Sequence, residues 1–388
     1  MKKIIAVLLI LSVAVAAFAD GSSITFNGLT AIDNRSPAMG GTHVADTSDY
    51  FTLLRNPAGL AFSGRHNLVG QTVINVGGPI EEALNMVSDM DDIMGSATDL
   101  IAENKLNLGL HIGGPIAFGG TYKNGFGWGF FDQIIVNAVA PSTVIKADME
   151  IDLDLVFGYG HAFDLGKYGK LAVGVSTDIY GQTPYMKVQQ NLLSLLSATG
   201  DMSDLLSKNM ALNATAGFNV NAGLQYEVLD WLSAGLVWNN FVSYAKTSTP
   251  KLDMDNLDIG ALLVMDKSIT EVGKGSLDLG VGFDIPTSWS FGIISDWTAY
   301  TDMKDLIGMF KNDPLKRNPI LNLGIGTEMT LLKCISARLG ISDSYLNAGI
   351  GLRLLSFHID ASIYGKELGV EPGATPQMNV ALSFGFRK

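Results

Sequence analysis

The chain has a single cysteine, Cys334, among 388 residues, so no disulfide can form within it and a disulfide-stapled secreted scaffold is excluded. Cys334 reads as a packing residue. Past residue 16 there is no run of 18 apolar residues, which excludes a bundle of membrane-spanning helices. Basic residues are scarce: 26 Lys and Arg stand against 38 Asp and Glu, a net charge of −12. Phosphate backbones need clustered Lys and Arg, so nucleic acid is not expected as a partner. The five histidines, His43, His66, His111, His161 and His358, have neither metal-site spacing nor an H-E-x-x-H pattern. The G-x-G pieces at Gly280 and Gly349 sit inside alternating stretches rather than ahead of helices, and so are not phosphate loops. No cofactor, metal or enzymatic activity is expected.

What is present begins with an export signal. Lys2 and Lys3 precede an apolar run from Ile4 to Ala16, and Ala17-Phe18-Ala19 gives a small-residue cleavage site before Asp20. The run is too short for a span. Cleavage would take the charge from −12 to −14, since Lys2 and Lys3 leave with the leader. The expected division is a signal peptide over 1–19, an N-terminal segment over 20–65 and a β-barrel over 66–388.

The barrel is read from period-two alternation. Met378, Val380, Leu382, Phe384 and Phe386 share one face, and Asn379, Ala381, Ser383, Gly385 and Arg387 the other. Residues 213–226 and 276–285 repeat the pattern. In residues 147–159 the apolar face from Ala147 to Tyr159 opposes Asp148, Glu150, Asp152 and Asp154. Four carboxylates on one face belong in a water-lined lumen, with the apolar face in lipid. Such stretches exceed the five or six residues of soluble sandwich strands and match the ~9–11 that a tilted membrane strand needs.

About fourteen strands follow, at 66–77, 106–121, 126–137, 145–161, 170–181, 211–227, 232–245, 275–285, 288–298, 320–331, 334–342, 346–354, 357–364 and 377–387. Even-to-odd connections are short, for example Lys123-Asn124-Gly125 and Pro286-Thr287, whereas the long insertions are all odd-to-even. Short turns face the periplasm and long loops the exterior. The fold class is therefore an all-β membrane protein, an antiparallel transmembrane barrel in the outer membrane of a diderm bacterium, with outer-membrane lipid and the barrel-assembly machinery as partners.

Four insertions carry helical apolar stripes. One starts at Pro79 with Ile80, Ala83, Leu84 and Val87, and another has Met303, Leu306, Ile307 and Phe310. Between them lie Leu192, Leu193, Leu196, Met202, Leu205 and Leu206, and then Leu262 and Leu263. These residues are candidates for capturing an apolar small-molecule ligand. The structural alternative is that the helices bury their stripes against one another and the barrel rim. Gly125, Gly127 and Gly129 are candidates for a kink in the third strand; the alternative is lumen-side packing against a plug. Asn56, Pro57 and Ala58 form a turn that would set the N-terminal segment inside the barrel, or else an ordinary surface turn. Arg55 is a candidate counter-charge for the carboxylate row, whose simpler reading is a solvated lumen face.

The segment before the barrel contains Pro37-Ala38-Met39-Gly40-Gly41-Thr42, then Asp46 to Tyr50, then Arg55-Asn56-Pro57-Ala58-Gly59-Leu60. With the barrel that follows, it resembles the long-chain fatty-acid channel family of the FadL type. At the level of motif the resemblance is confined to Ala38–Leu60. It implies that residues 20–65 form a hatch inside the barrel, that external helical loops gather an apolar substrate, and that a kinked third strand opens a lateral path. The chain departs from the family in an additional helical insertion between strands one and two, and in ending Phe386-Arg387-Lys388 rather than on an aromatic residue. Passive uptake of small hydrophobic molecules such as long-chain fatty acids is the expected function. A PorV-like barrel that binds a secreted protein partner and a general polar porin are the alternatives.

Overall fold

The computed structural model describes residues 33–78, 107–139, 144–191, 211–248, 267–272, 275–290, 292–310 and 317–387. Sixteen strands are assigned. The first eight are β1 (His66–Gly77), β2 (Asn107–Gly113), β3 (Phe118–Thr121), β4 (Phe126–Val139), β5 (Val144–Asp164), β6 (Lys170–Asn191), β7 (Ala211–Leu229) and β8 (Leu232–Ser248). Then come β9 (Lys267–Val272), β10 (Leu277–Asp284), β11 (Ile294–Met303), β12 (Leu323–Leu331), β13 (Ile335–Ser342), β14 (Tyr345–Leu354), β15 (Phe357–Glu367) and β16 (Pro376–Arg387).

Both β2 and β3 lie between β1 and β4, so they are two halves of one crossing. Likewise β9 and β10 both pair with β8. Two merged pairs reduce sixteen strands to fourteen crossings, all antiparallel, and β16 closes on β1. Among the described residues each of the fourteen crossings is paired on both sides, as a chain in hydrocarbon requires, and β9 alone extends beyond its neighbour β11 with one side paired.

The faces follow the alternation with inverted polarity. On β16, Val380 and Phe384 are 44% and 39% exposed, whereas Asn379 and Ser383 are 3% and 1% exposed. Apolar side chains outside and polar ones buried are the signature of a barrel in lipid.

Several boundaries differ from expectation. The ninth crossing is β11, beginning at Ile294 rather than near 288. Ser288–Ser290 forms a 3₁₀ turn in which the Ser290 hydroxyl donates to the Thr287 carbonyl and accepts from the Ile294 amide. The turn expected at Pro286-Thr287 is accordingly longer. Residues 267–272, assigned from sequence to an insertion, extend the eighth crossing as β9. In the fourth insertion a one-turn helix, Leu306–Met309, is capped by the Asp305 carboxylate, which accepts from the Gly308 amide. The first three insertions' helical stripes lie outside the described residues.

Candidate functional site

Residues 33–65 run inside the ring. Their helical turns, α1 (Arg35–Ala38), α2 (Thr52–Arg55) and a 3₁₀ turn at Pro57–Ala61, touch walls on opposite sides. The reason is steric. A Cβ on Gly326 or Gly340 would overlap the backbone around Met39, one on Gly349 would crowd Ala38, and one on Gly235 would overlap the Val44 carbonyl. Across the barrel, Cβ atoms on Gly160, Gly174 and Gly223 would run into Asn56, Pro57 and Ala58. Inward-facing glycines on seven strands thus form a track on which the segment's backbone lies. Gly40 completes the fit from the segment's side: its φ is +69° and a Cβ there would overlap the Ile325 and Ile341 carbonyls.

The turn at Asn56 is tied to the wall. Its Nδ2 donates to the Val44 carbonyl at 2.8 Å, the Leu224 carbonyl at 3.1 Å and Gln225 Oε1 at 3.0 Å, while its Oδ1 accepts from the Ala58 amide at 3.1 Å. Both hydrogens of the amide are used, one of them shared between two acceptors, and its oxygen takes one donor. Pro57 at the start of the 3₁₀ turn needs no amide partner.

On the opposite flank the contacts are ionic. Arg35 donates to Asp46 and, through Nε and Nη2, to Glu328 at 2.9 and 3.1 Å. Glu328 also pairs with Arg338, which reaches Asp360 at 2.6 Å. Arg55 pairs with Asp33 and Asp46. The Asp302 carboxylate accepts from the amides of His43 and Val44 at 2.6 and 3.0 Å, and Asn34 Nδ2 donates to the carbonyls of Asp360 and Ala381. Burial by itself would raise the Asp46 carboxyl, but the guanidiniums of Arg35 and Arg55 outweigh it and hold the group well below the usual carboxylate range. Burial pushes the His43 imidazole down to about 3, with Lys304 and Arg55 adding to the effect, so His43 is neutral at pH 7.

Three sequence assignments change here. Arg55 serves its own segment rather than the carboxylate row. That row is not a solvated face: Asp152 and Asp154 are fully buried and Glu150 nearly so. Gln133 Nε2 donates to Asp152 at 2.7 Å and Gln182 donates to Glu150. Asp154 and its cross-wall neighbour Asp178 have no basic partner among the described residues. The side chain of Asp148 lies outside the description.

The third change concerns the kink. β4 pairs with β5 from Phe126 to Val139 without a register shift, so the third crossing is unbroken. Gly127 and Gly129 face inward, where a Cβ would meet Leu53, Leu60 and the Tyr50 hydroxyl; they are small because the segment packs on them. Gly125, with φ +81°, makes the turn before β4. The break lies one crossing earlier, at Gly114–Ala117, between β2 and β3. Pro115 has no amide to give the ladder. A Cβ on Gly114, whose φ is +82°, would overlap the Gln71 carbonyl. β1 answers with its own irregularity between Val69 and Thr72, where Gly70 has φ +62°. On β4 the Asp132 backbone carbonyl accepts from the Gly114 amide at 2.9 Å, which ties the break to the wall.

Behind this break lies an apolar cluster. Leu68, Ala117, Phe131 and Val156 of the wall pack with Tyr50, Phe51, Leu53 and Leu60 of the segment, all at most 2% exposed. The Tyr50 hydroxyl is satisfied by the Trp128 carbonyl at 2.9 Å. Outside the same break, Val69, Ile116 and Phe118 are exposed toward lipid. Ala117 is thus a wall residue of the break and a member of the interior cluster. The expected ligand-capture residues Leu192, Leu193, Leu196, Met202, Leu205, Leu206, Leu262 and Leu263 lie outside the described residues.

No protein-family profile and no curated protein matches the chain. Solved structures similar to it over most of its length include the Pseudomonas putida toluene transporter TodX, at 14% identity and a TM-score of 0.46, covering 92% of this chain and 98% of that one. The Ralstonia pickettii toluene transporter TbuX has 12% identity and a TM-score of 0.46, with coverages of 93% and 99%. A Pseudomonas aeruginosa FadL homologue has 11% identity and a TM-score of 0.42, with coverages of 92% and 98%. The barrel and its fourteen crossings rest on the strand pairing itself rather than on these superpositions.

Proposed function

We propose that this protein is an outer-membrane channel for passive uptake of small apolar molecules, long-chain fatty acids among them. The observation that carries the reading is the apolar cluster enclosed by the lumen directly behind a break in the wall. The cluster is filled by the segment's own side chains, so an apolar molecule meets the wall residues Leu68, Ala117, Phe131 and Val156 only when the segment is displaced, and then gains roughly 25 cal/mol per Å² buried. Residues 20–65 act as the hatch, with Asn56, Pro57 and Ala58 as its fixed turn. The apolar stripes at 192–206 and 262–263 gather the substrate outside. It passes the displaced hatch and leaves between β2 and β3, or through the lumen. No energy source or cofactor enters this scheme.

The test has two arms. Protein purified in a detergent of distinct mass is extracted and the apolar fraction analysed by mass spectrometry, and cells carrying or lacking the protein are assayed for uptake of a labelled long-chain fatty acid and of toluene. Co-purified acyl chains or hydrocarbons with protein-dependent uptake of either probe support the channel. No protein-dependent uptake of either, together with a stoichiometric protein partner, overturns it.

A further inference from the structure

Among the described residues the outward rows of the barrel are uncharged through their middles, with one exception. β4 presents Phe126, Trp128, Phe130, Ile134 and Val136 to the lipid, and Asp132 stands in the same row. Its orientation follows from the pairing. Asp132 lies directly opposite Leu153, which is 45% exposed, whereas its chain neighbours Phe131 and Gln133 are fully buried, as are Asp152 and Asp154 on either side of Leu153. Asp132 is six residues past Phe126, the first residue of β4. At ~3.4 Å per residue and a tilt of ~40° it sits about 15 Å above that end, well inside a ~25 Å apolar band.

The same place is the break in the wall. β2 ends with Gly113 opposite Gln133, and β3 begins with Phe118 opposite Phe130. Only Phe131 and Asp132 of β4 therefore face the gap. Phe131 faces it from inside, as a member of the apolar cluster, and Asp132 from outside. A molecule leaving the cluster through the gap passes from the one to the other. The outward residues on the rest of the rim, Val69, Thr72, Ile116 and Phe118, carry no charge, and Asp132 has no ion pair among the described residues. Its Oδ1 is shut off from solvent and accepts no hydrogen bond. The amides of Ile116 and of Asp132 itself lie beside the carboxyl, yet the side-chain oxygen of an asparagine would serve them as well. What an aspartate adds here is negative charge, in a position where charge facing hydrocarbon is costly.

We infer that Asp132 sets the specificity of the lateral opening: its carboxylate lets uncharged apolar molecules and undissociated acids pass and turns back ionised ones. The inference rests on exit between β2 and β3. An anion drawn level with Asp132 brings two like charges together in a medium of low dielectric, where their repulsion is many times that in water. An uncharged molecule meets no such barrier, and an undissociated acid or an alcohol has an O–H to donate to Oδ1.

Three labelled probes, given at pH 8 to cells carrying or lacking the protein, test this. Dodecanoate is ionised there, 1-dodecanol has the same chain without the charge, and toluene has neither charge nor chain. Asp132→Asn keeps the size and the acceptor oxygen and removes the charge, so it should raise the ratio of dodecanoate to dodecanol uptake several-fold while the rates for dodecanol and toluene stay close to the parent's. Asp132→Glu should keep the parent ratio. Heat-modifiable migration shows that each variant is folded, and Asp132→Ser makes the same comparison if the asparagine variant does not assemble. An unchanged ratio in the uncharged variant, or a change common to all three probes, overturns the inference and leaves Asp132 as an acceptor for the amides of the break. Absence of protein-dependent uptake of every probe in the parent overturns the channel itself, and this inference with it, before any variant is compared.

Discussion

Replacing Arg35 with Met tests how the N-terminal segment is held. Arg35 is the residue through which the segment reaches the ionic flank, donating twice to Glu328 and once to Asp46. Its side chain is 6% exposed and those of its partners 12% and 0%. Methionine keeps much of the apolar stem and removes the charge. Breaking a buried pair costs about 3–5 kcal/mol, because the abandoned partner stays desolvated. Here Glu328 retains Arg338 and Asp46 retains Arg55, so the lower end, about 3 kcal/mol, applies. At ~1.4 kcal/mol per decade, the displaced population of the segment should rise about a hundredfold. Single-barrel recordings in planar bilayers read that population directly: rare openings in the parent should become frequent in the variant, with unchanged heat-modifiable migration of the barrel. Openings as rare as in the parent, in a variant that is folded, would refute the claim that this pair seats the segment. Failure of the variant to assemble would show that the segment supports the wall rather than closing it.

Deleting residues 20–64 while keeping residues 1–19 should leave a barrel that assembles, since each strand's backbone bonds are made to its neighbours, and reversal-potential measurements should show steady current with a preference for cations, set by Glu150, Asp152, Asp154 and Asp178. Asn56→Ala removes the three donated hydrogen bonds and the one accepted, worth about 2–4 kcal/mol in all, and should give intermittent openings in the same recordings; Pro57→Ala should be milder. Acid should also open the barrel. The folded-state values of both Asp46 and His43 lie below their ordinary ones, so the released segment binds more protons. Stability from His43 is complete above about pH 6.5 and is lost as pH falls toward 3, and that from Asp46 is complete above about pH 4 and is lost below it, so opening frequency should climb steadily from pH 6.5 downward. Phe131→Asn places an amide in the apolar cluster at a cost of roughly 1–3 kcal/mol to an apolar ligand there. Fatty-acid uptake should fall about tenfold or more, and because Phe131 also packs against Tyr50 of the segment, openings in the same recordings should become more frequent.

The barrel was legible because its code is local. Alternation over a dozen residues assigns faces without knowledge of the partner strand, and the polarity of β16, and of β5 from Glu150 to Gly160, follows residue by residue. Legibility failed where a strand departs from regular pairing. The stretch 106–121 reads as one strand by alternation, yet Gly113-Gly114-Pro115 in its middle is the signal that a central strand does not continue, since proline gives the ladder no hydrogen bond. Weight given to Gly125, Gly127 and Gly129 drew the kink to the wrong crossing. A glycine in a strand marks either a bulge or a close approach by another backbone, and the sequence of the strand cannot tell these apart. Here what approaches Gly127 and Gly129 is the side chains of Tyr50, Leu53 and Leu60, far off in the chain.

That ambiguity explains what was readable of the site. The motif from Ala38 to Leu60 could be singled out because small residues and a Pro turn are unusual together before a barrel, but its complement is spread over seven strands as single glycines, none of them distinctive alone. The ionic flank was less visible still. Arg35, Glu328, Arg338 and Asp360 are separated by up to 325 residues and meet only because β12, β13 and β15 turn those positions inward at the height of α1. One clue did lie in the alternation. Glu328 and Arg338 are charges on inward positions of adjacent strands, directly opposite in register, and a charge facing a lumen that is packed rather than wet must find a partner. Within the wall Glu328 meets Arg338, and its second cation, Arg35, is the first basic residue after Lys3.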